Sequence, residues 1–416
     1  MKRNLYAGID VGSSSVRVGL LDDNGVLIDT YSEPITYYVN KENPSFVTQS
    51  SDEVWNATLK CLGILKNSIK ESGYELVSVG CCATCSMVVM RNTTDGLVPY
   101  PVNYASDDEN QNIVFWMDRR AQEQADFINN KLKHDKVLDK QGGAFIAEMG
   151  IPKVKYLIEH IPKEDIDDIV FFDLHDFISY KLGGSKTNNN FEINISNTKS
   201  QIALDGELKG WSSRFFKLIG LEQLAKDNFK AIGRVERNSN YTGFLGVPLA
   251  GTKIGKHENC TIGHGVIDSY GSWLASSGKS IEGTLTMVAG TSTCFIIGHT
   301  SNETVPGIWG PFEGIFSEYL VSTAGQSATG LLFQRLFESH PAFTQIQNHT
   351  GDDVFEIIED KIKTIELETG KSIHFLTKNM HLYGDLLGNR TPYCDSGMRG
   401  VFYGESADTS LNDFIM

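Results

Sequence analysis

One pattern occurs twice in this chain and constrains its fold more than any other feature. Near the N-terminus an apolar run enters a glycine–hydroxyl turn and leaves as a second apolar run, Leu5-Tyr6-Ala7-Gly8-Ile9-Asp10-Val11-Gly12-Ser13-Ser14-Ser15-Val16-Arg17-Val18-Gly19-Leu20-Leu21. The plan returns as Thr286-Met287-Val288-Ala289-Gly290-Thr291-Ser292-Thr293-Cys294-Phe295-Ile296-Ile297-Gly298. Glycine supplies turn geometry that other residues reach only with strain, and such turns let backbone N–H groups and small hydroxyls converge on an anion. One turn in each half implies two related α/β domains clamped on one cleft, with the phosphate chain of a nucleotide between them. Asp10, at the end of the first run, suits hydrated Mg2+, which takes one or two carboxylates beside substrate phosphates.

At 416 residues the chain exceeds one ordinary core, so two domains are expected. Their boundary is placed in Gly278–Gly283, giving residues 1–279 and 280–416. An apolar content of 40% and a charged content of 21% fit a globular enzyme. A net charge of −15 argues against a nucleic-acid partner, because that affinity rests on neutralising phosphates with Lys and Arg. Seven thinly spread cysteines read as reduced thiols. Cys82-Ala83-Thr84-Cys85 has C-x-x-C spacing, but no second pair completes a zinc site, and its place at the end of an apolar run reads as buried structural thiols. Lys2 and Arg3 precede an apolar run interrupted by Asp10 and Arg17, so this stretch is not expected to act as a signal peptide. No stretch approaches the ~18 apolar residues of a membrane span, so no membrane association is expected and the expected compartment is the cytoplasm.

Three strands are expected in the first ~35 residues, the second and third joined at Asp22-Asp23-Asn24-Gly25. A helix is expected from Glu53 behind Ser51-Asp52, then a buried strand over Leu76–Cys82 and a polar, turn-rich segment over Arg91–Gln111. Further helices are expected from Trp116 through Ala125, from Ile151, over Asp176–Leu182 and over Gly265–Ser277, with a strand at Ile169–Leu174. Lys186–Asn197 is the most polar stretch and reads as an insertion or edge loop.

Two familiar phosphate loops are excluded by spacing. Gly278-Lys279-Ser280 would end a Walker A loop, but the required first glycine falls on Trp273. Gly8, Gly12 and Gly19 lack G-x-G-x-x-G spacing, and the turn exits into a strand rather than a helix. What remains is the pair of glycine–hydroxyl turns; one such turn alone serves equally as a tight hairpin. Asp268 at a helix start is, from the residues alone, either a catalytic base or an acid stabilised by the helix dipole. Trp116, Asp118 and Arg119 combine an aromatic plane, an acceptor and a planar donor fork, which suits a sugar but also describes a core Trp with a salt bridge.

Asp10-x-Gly12-Ser13-Ser14-Ser15-x-Arg17, Trp116-Met117-Asp118-Arg119-Arg120, Gly265-Val266-Ile267-Asp268-Ser269, Ala289-Gly290-Thr291-Ser292 and Gly325-Gln326-Ser327-Ala328-Thr329-Gly330 occur in this order. Together they resemble the FGGY family of carbohydrate kinases, within the broader actin, sugar-kinase and heat-shock-chaperone ATPase group. Val305–Phe312 and Gly388–Pro392 also look like family segments, and Ala83–Val89 looks like the T-C-S-aliphatic signature of the D-ribulokinase subgroup. The resemblance spans essentially the whole chain. It implies two ribonuclease-H-like α/β domains flanking a cleft and ATP-dependent phosphorylation of a sugar hydroxyl, D-ribulose leading among pentuloses and polyols. It implies Asp268 as the base and Thr84, Cys85, Ser86, Trp116, Asp118, Arg119 and Asp268 as sugar contacts. It implies Gly12, Ser13, Ser14, Ser15, Arg17, Gly290, Thr291, Ser292, Gly325 and Gln326 at ATP, with Mg2+ near Asp10 and Asp268. Lys199 stands where the family carries a lysine, in a departing context.

Two departures carry expectations. Relatives place an acid two positions before the glycine of the G-Q-S segment, where this chain has Thr323. The chain also ends with Ser410–Met416, which looks like the opening of a family helix, so the second domain is expected to be incomplete. Uncovered apolar surface would favour association, a homodimer included. A truncated sugar-binding relative without catalysis is the second expectation, and an actin- or chaperone-type ATPase the third.

Overall fold

The computed structural model of the chain describes residues 3–71, 73–102, 110–183, 194–195, 211–235, 243–244, 260–263, 265–278, 280–313, 318–343 and 354–416. It opens with a meander of β1 (Arg3–Val11), β2 (Ser15–Asp22) and β3 (Leu27–Pro34). Side chains alternate across a strand, and here Leu5, Ala7, Ile9 and Val11 on β1 and Val16, Val18 and Leu20 on β2 share the buried face. Asp22 closes the second turn by accepting N–H bonds from Asn24 (2.8 Å) and Val26 (3.0 Å).

The chain continues through β4 (Tyr38–Val39), β5 (Val47–Gln49), α1 (Ser51–Glu71), β6 (Tyr74–Ala83), β7 (Met87–Thr93), β8 (Gly96–Pro99) and β9 (Ile113–Val114). A β7–β8 hairpin therefore occupies part of the segment expected to be turn-rich, Arg91 pairing with Val98 and Thr93 with Gly96. Next come α2 (Gln122–Lys131), α3 (Gly150–His160), β10 (Ile169–Asp173), α4 (Leu174–Leu182), β11 (Asn194–Ile195), α5 (Ser213–Leu218), β12 (Arg234–Val235), β13 (Gly243–Phe244), β14 (Thr261–Ile262), β15 (Val266–Ile267) and α6 (Asp268–Ser277). The last part comprises β16 (Leu285–Ala289), β17 (Thr293–His299), β18 (Trp309–Glu313), β19 (Leu320–Gln326), α7 (Gly330–Ser339), α8 (Val354–Thr369), α9 (Ile373–Leu376), β20 (His381–Tyr383), β21 (Val401–Tyr403) and α10 (Leu411–Ile415).

Among the described residues one sheet runs β13-β14-β6-β1-β2-β3 with β15 also on β6, and a second runs β10-β7-β9-β5-β4 with β8 on β7. A four-stranded sheet has the order β16-β17-β19-β18. The chain divides into two compact units, Met1–Thr286 with Ile296–Thr323, and Met287–Phe295 with Ala324–Met416. The first unit holds a large continuous core that includes Ile9, Val18, Val79, Val88, Phe171, Phe172 and Phe177. The second holds a small cluster of Phe337, Phe343, Ile358 and Ile415, with Leu367 84% and Phe375 71% exposed. No helix among the described residues is long and apolar enough to cross a membrane.

Three local expectations are corrected. Residues 116–120 are irregular, with turns at 116–117 and 120, and the helix starts only at Gln122, because the chain folds back at Phe115, whose carbonyl accepts the Asp118 N–H at 3.0 Å. Val266 and Ile267 are a short parallel strand on β6, so the helix begins at Asp268 rather than Gly265. Of the C-x-x-C cysteines, Cys82 is half-buried and Cys85 exposed, since β6 ends at Ala83 and the chain turns outward.

Candidate active site

In the first unit the elements converge on the end of β1. Asp10 stands opposite Arg17 across the β1–β2 hairpin, with Arg17 Nη2 2.7 Å from Asp10 Oδ2. On its other side β6 places Cys82 in register, and the thiol donates to Asp10 Oδ1 at 3.6 Å. β15 lies along β6 with Val266 opposite Cys82 and Ile267 opposite Ala83, so Asp268 emerges at the head of α6. Its Oδ1 accepts the Ser269 N–H at 2.7 Å. Burial, and then the charges of Asp10 and Asp268, push the Cys82 thiol far above its usual pKa. Asp10 and Asp268 are both half-buried, and carboxylate oxygens are the donors a hard cation takes.

Close approach explains the glycines around Asp268. A Cβ on Gly265 would lie 2.7 Å from the His175 carbonyl oxygen, and one on Gly271 would lie 2.9 Å from Cys82 Cβ. Gly265 lets the chain entering β15 approach α4, and Gly271 lets α6 press against β6, which together set where Asp268 emerges.

The Gly12–Ser15 turn is closed by the Gly12 N–H donating to the Ser15 carbonyl at 3.0 Å. Ser13 is held at both oxygens: its carbonyl accepts from Gln49 Nε2 (3.2 Å) and its hydroxyl from Trp116 Nε1 (3.0 Å). Ser14 is exposed, with its carbonyl accepting the Ile35 N–H at 2.9 Å.

The turn between β6 and β7 carries Thr84, Cys85 and Ser86. Its start is tied to β1 by the Thr84 N–H donating to the Val11 carbonyl (3.0 Å). The hydroxyls of Thr84 and Ser86 are 2.9 Å apart, and Ser86 Oγ accepts the Trp116 backbone N–H at 3.0 Å. Both hydroxyls are buried, whereas Cys85 is exposed.

Asp118 is fully buried. Arg120, also buried, donates Nε to Oδ1 (2.9 Å) and Nη2 to Oδ2 (2.8 Å), and the Val47 N–H donates to Oδ2 (2.7 Å). Its geometry is that of an internal ion pair that shapes the turn. Arg119 is half-buried, and its backbone N–H donates to the Ser45 carbonyl at 2.9 Å.

Sequence reasoning missed four residues that hold this site: Gln49, Cys82 as a partner of Asp10, Arg120 as the partner of Asp118, and Lys153. Lys153 on α3 is 1% exposed, and its Nζ donates to the carbonyls of Phe115 (2.8 Å) and Trp116 (2.9 Å). The available signal was a lysine in the otherwise apolar run Ile151-Pro152-Lys153-Val154.

In the second unit the Gly290–Ser292 turn is closed by the Gly290 N–H donating to the Ser292 carbonyl at 2.9 Å. The carbonyls of Thr291 and Gly290 accept the N–H groups of Thr329 (2.9 Å) and Gly330 (3.0 Å) at the head of α7. Gly325 and Gln326 end β19. A Cβ on Gly325 would lie 2.6 Å from the Thr293 carbonyl, so the approach this glycine permits is to β17. Thr323 is buried on β19 opposite Trp309, and Lys199 lies outside the described residues.

The model of the FGGY family of carbohydrate kinases matches residues 5–269 through its N-terminal domain and 285–416 through its C-terminal domain. Protein MPA43 of Saccharomyces cerevisiae is 38% identical over 97% of this chain and 70% of its own length. A D-ribulokinase of the same yeast is 32% identical over 99% of this chain and 61% of its own length. A Homo sapiens FGGY carbohydrate kinase domain-containing protein is 31% identical over 99% of this chain and 75% of its own length. The chain thus spans 61% to 75% of these three relatives. Among solved structures, a xylulose kinase from Rhodospirillum rubrum superposes with a TM-score of 0.71 at 14% identity, covering 99% of this chain and 75% of that one. The Plasmodium falciparum glycerol kinase with ADP gives 0.71 at 14% identity, with 100% and 75% coverage. At that identity the likeness shows the fold alone, the two-domain α/β fold of sugar kinases.

Proposed function

This chain belongs to the FGGY family of carbohydrate kinases, and on that premise we propose that it transfers the terminal phosphoryl group of ATP to a sugar hydroxyl, with D-ribulose giving D-ribulose 5-phosphate as the leading reaction. The observation that carries this reading is the strand register that brings two carboxylates to one end of a sheet: Asp10 on β1 lies opposite Cys82 of β6, and Asp268 follows directly on β15, whose Val266 lies opposite the same cysteine. Phosphoryl transfer asks a protein mainly for positioning and charge neutralisation, plus a group that accepts the hydroxyl proton. Asp268 takes that proton, the sugar oxygen forms a bond to the γ-phosphorus, and the bond to the ADP oxygen breaks. The hydroxyls of Thr84 and Ser86, the Trp116 ring and Arg119 orient the sugar. Asp118 serves the pocket indirectly, by fixing the turn through Arg120.

The Gly12–Ser15 turn with Arg17 and, in the other unit, Gly290–Ser292 with Gly325 and Gln326 are assigned to ATP. These roles divide the chain at residues 279 and 280. Asp10 and Asp268 would hold Mg2+, which offsets charge on the transferring phosphoryl group when bound. The choice of D-ribulose rests on the T-C-S-aliphatic segment Ala83–Val89 and on the relative named a D-ribulokinase. The seven free cysteines support a reducing compartment, the cytoplasm.

ADP release coupled to an indicator reaction tests this over D-ribulose, D-xylulose, gluconate and glycerol. Sugar-dependent turnover greatest with D-ribulose is expected. Greatest turnover with another acceptor overturns the substrate assignment, and no turnover by folded protein with any of them overturns the kinase reading.

A further inference from the structure

We propose that Trp116 is a positioning residue for the phosphate turn as well as a wall of the sugar pocket, and that one side chain therefore joins the two subsites within the first unit. This rests on the kinase reading above. The indole N–H can only donate, so the Ser13 hydroxyl that it reaches at 3.0 Å must accept. The Ser13 O–H is thereby directed away from the indole and left as a donor for an anionic oxygen. Gln49 fixes the carbonyl of the same serine from β5, so Ser13 is held at both of its oxygens.

The other end of Trp116 faces the sugar contacts. Its backbone N–H donates to Ser86 Oγ at 3.0 Å, and Ser86 Oγ lies 2.9 Å from Thr84 Oγ1. A continuous chain of polar contacts runs from Thr84 through Ser86 and Trp116 to Ser13. It joins residues that the sequence places in three separate segments. The Trp116 turn cannot slide freely, because Lys153 Nζ grips the carbonyls of Phe115 and Trp116 from the buried side and the Phe115 ring stacks on Tyr37 at 5.4 Å. A held donor at a fixed distance transmits displacement; a loose one would not.

The consequence is a testable non-additivity. Affinity for Mg–ADP, measured by calorimetry without any sugar, is compared among wild type, Ser13→Ala, Trp116→Phe and the double variant, with each fold checked by its thermal melt. Phenylalanine keeps an aromatic face and removes the indole N–H together with the five-membered ring that carries it. Each single substitution is expected to weaken Mg–ADP about three- to tenfold, and the double variant no more than the weaker single, because both remove one interaction. Unchanged affinity in Trp116→Phe, or losses that multiply in the double variant, overturn the inference. Those outcomes leave the kinase reading standing. A wild-type protein that binds no Mg–ADP overturns both. A protein that binds Mg–ADP but not D-ribulose overturns only the substrate assignment, since the cycle needs no sugar.

Discussion

The carboxylate of Asp10 meets the guanidinium of Arg17 at 2.7 Å across the first hairpin, while the Cys82 thiol donates to its other oxygen. Both ion-pair partners are partly exposed, at 37% and 56% for their side chains, so the pair adds only about 0–1 kcal/mol to folding. Its value lies in aiming the carboxylate and in supplying a positive charge beside the phosphate turn. Arg17→Gln is therefore expected to leave the melting temperature within ~2 °C of wild type, and to raise the KM for Mg–ATP about tenfold. Initial-rate kinetics with varied Mg–ATP measure this, and an unchanged KM contradicts the role given to Arg17.

The two glycines beside Asp268 should differ in how they can be rescued. Gly265→Ala drives a methyl group against the His175 backbone, and Gly271→Ala drives one against the Cys82 side chain. Each is expected to lower stability by about 1–3 kcal/mol through overpacking and to reduce kcat more than sugar KM. Adding Cys82→Gly should restore much of the stability lost in Gly271→Ala and nothing in Gly265→Ala, because backbone cannot be trimmed. Denaturant melts of the four variants decide it, and equal rescue of both contradicts the packing described for α6.

Lys153 sets a pH dependence. Burial holds its ammonium below the ordinary lysine value of 10.5, with the charge of Asp118 pulling the other way. The unfolded chain binds that proton more tightly. The contribution of Lys153 is thus fully present above 10.5 and is lost as pH falls through the lower folded value. Lys153→Met removes the titration and leaves the Phe115 and Trp116 carbonyls without their donor, at a cost of about 1–3 kcal/mol. The stability gap between wild type and Lys153→Met is expected to widen as pH rises toward 10.5. A gap that narrows contradicts this account of the buried lysine.

Much of the fold was legible because its signals are local. Apolar runs marked β1 and β2, and the glycine–hydroxyl turns marked both strand–turn–strand openings. The strand expected over Leu76–Cys82 lies within β6, and the helix expected over Gly265–Ser277 begins only at Asp268, because Val266 and Ile267 are too few to show as a strand without their partner β6. What failed depends on contacts distant in sequence. Trp116–Arg120 has helix-like composition, yet Lys153 and Val47 claim its polar groups and keep it irregular. Nothing local in Trp116–Arg120 shows that Arg120 binds the Asp118 carboxylate in the folded chain. Sequence pattern names the residues of such a site more readily than it divides them between those that touch a ligand and those that hold others in place.

The central claim is that Asp268 accepts the sugar hydroxyl's proton during phosphoryl transfer from ATP. The direct measurement is ADP release with D-ribulose by wild type and Asp268→Asn side by side, with D-ribulose affinity from calorimetry. The substitution keeps size and the acceptor for the Ser269 N–H while removing the base. The account predicts sugar-dependent turnover in the wild type, a kcat about 10²–10⁴-fold lower in Asp268→Asn and a sugar affinity within about threefold. An Asp268→Asn variant that turns over D-ribulose as fast as the wild type contradicts it.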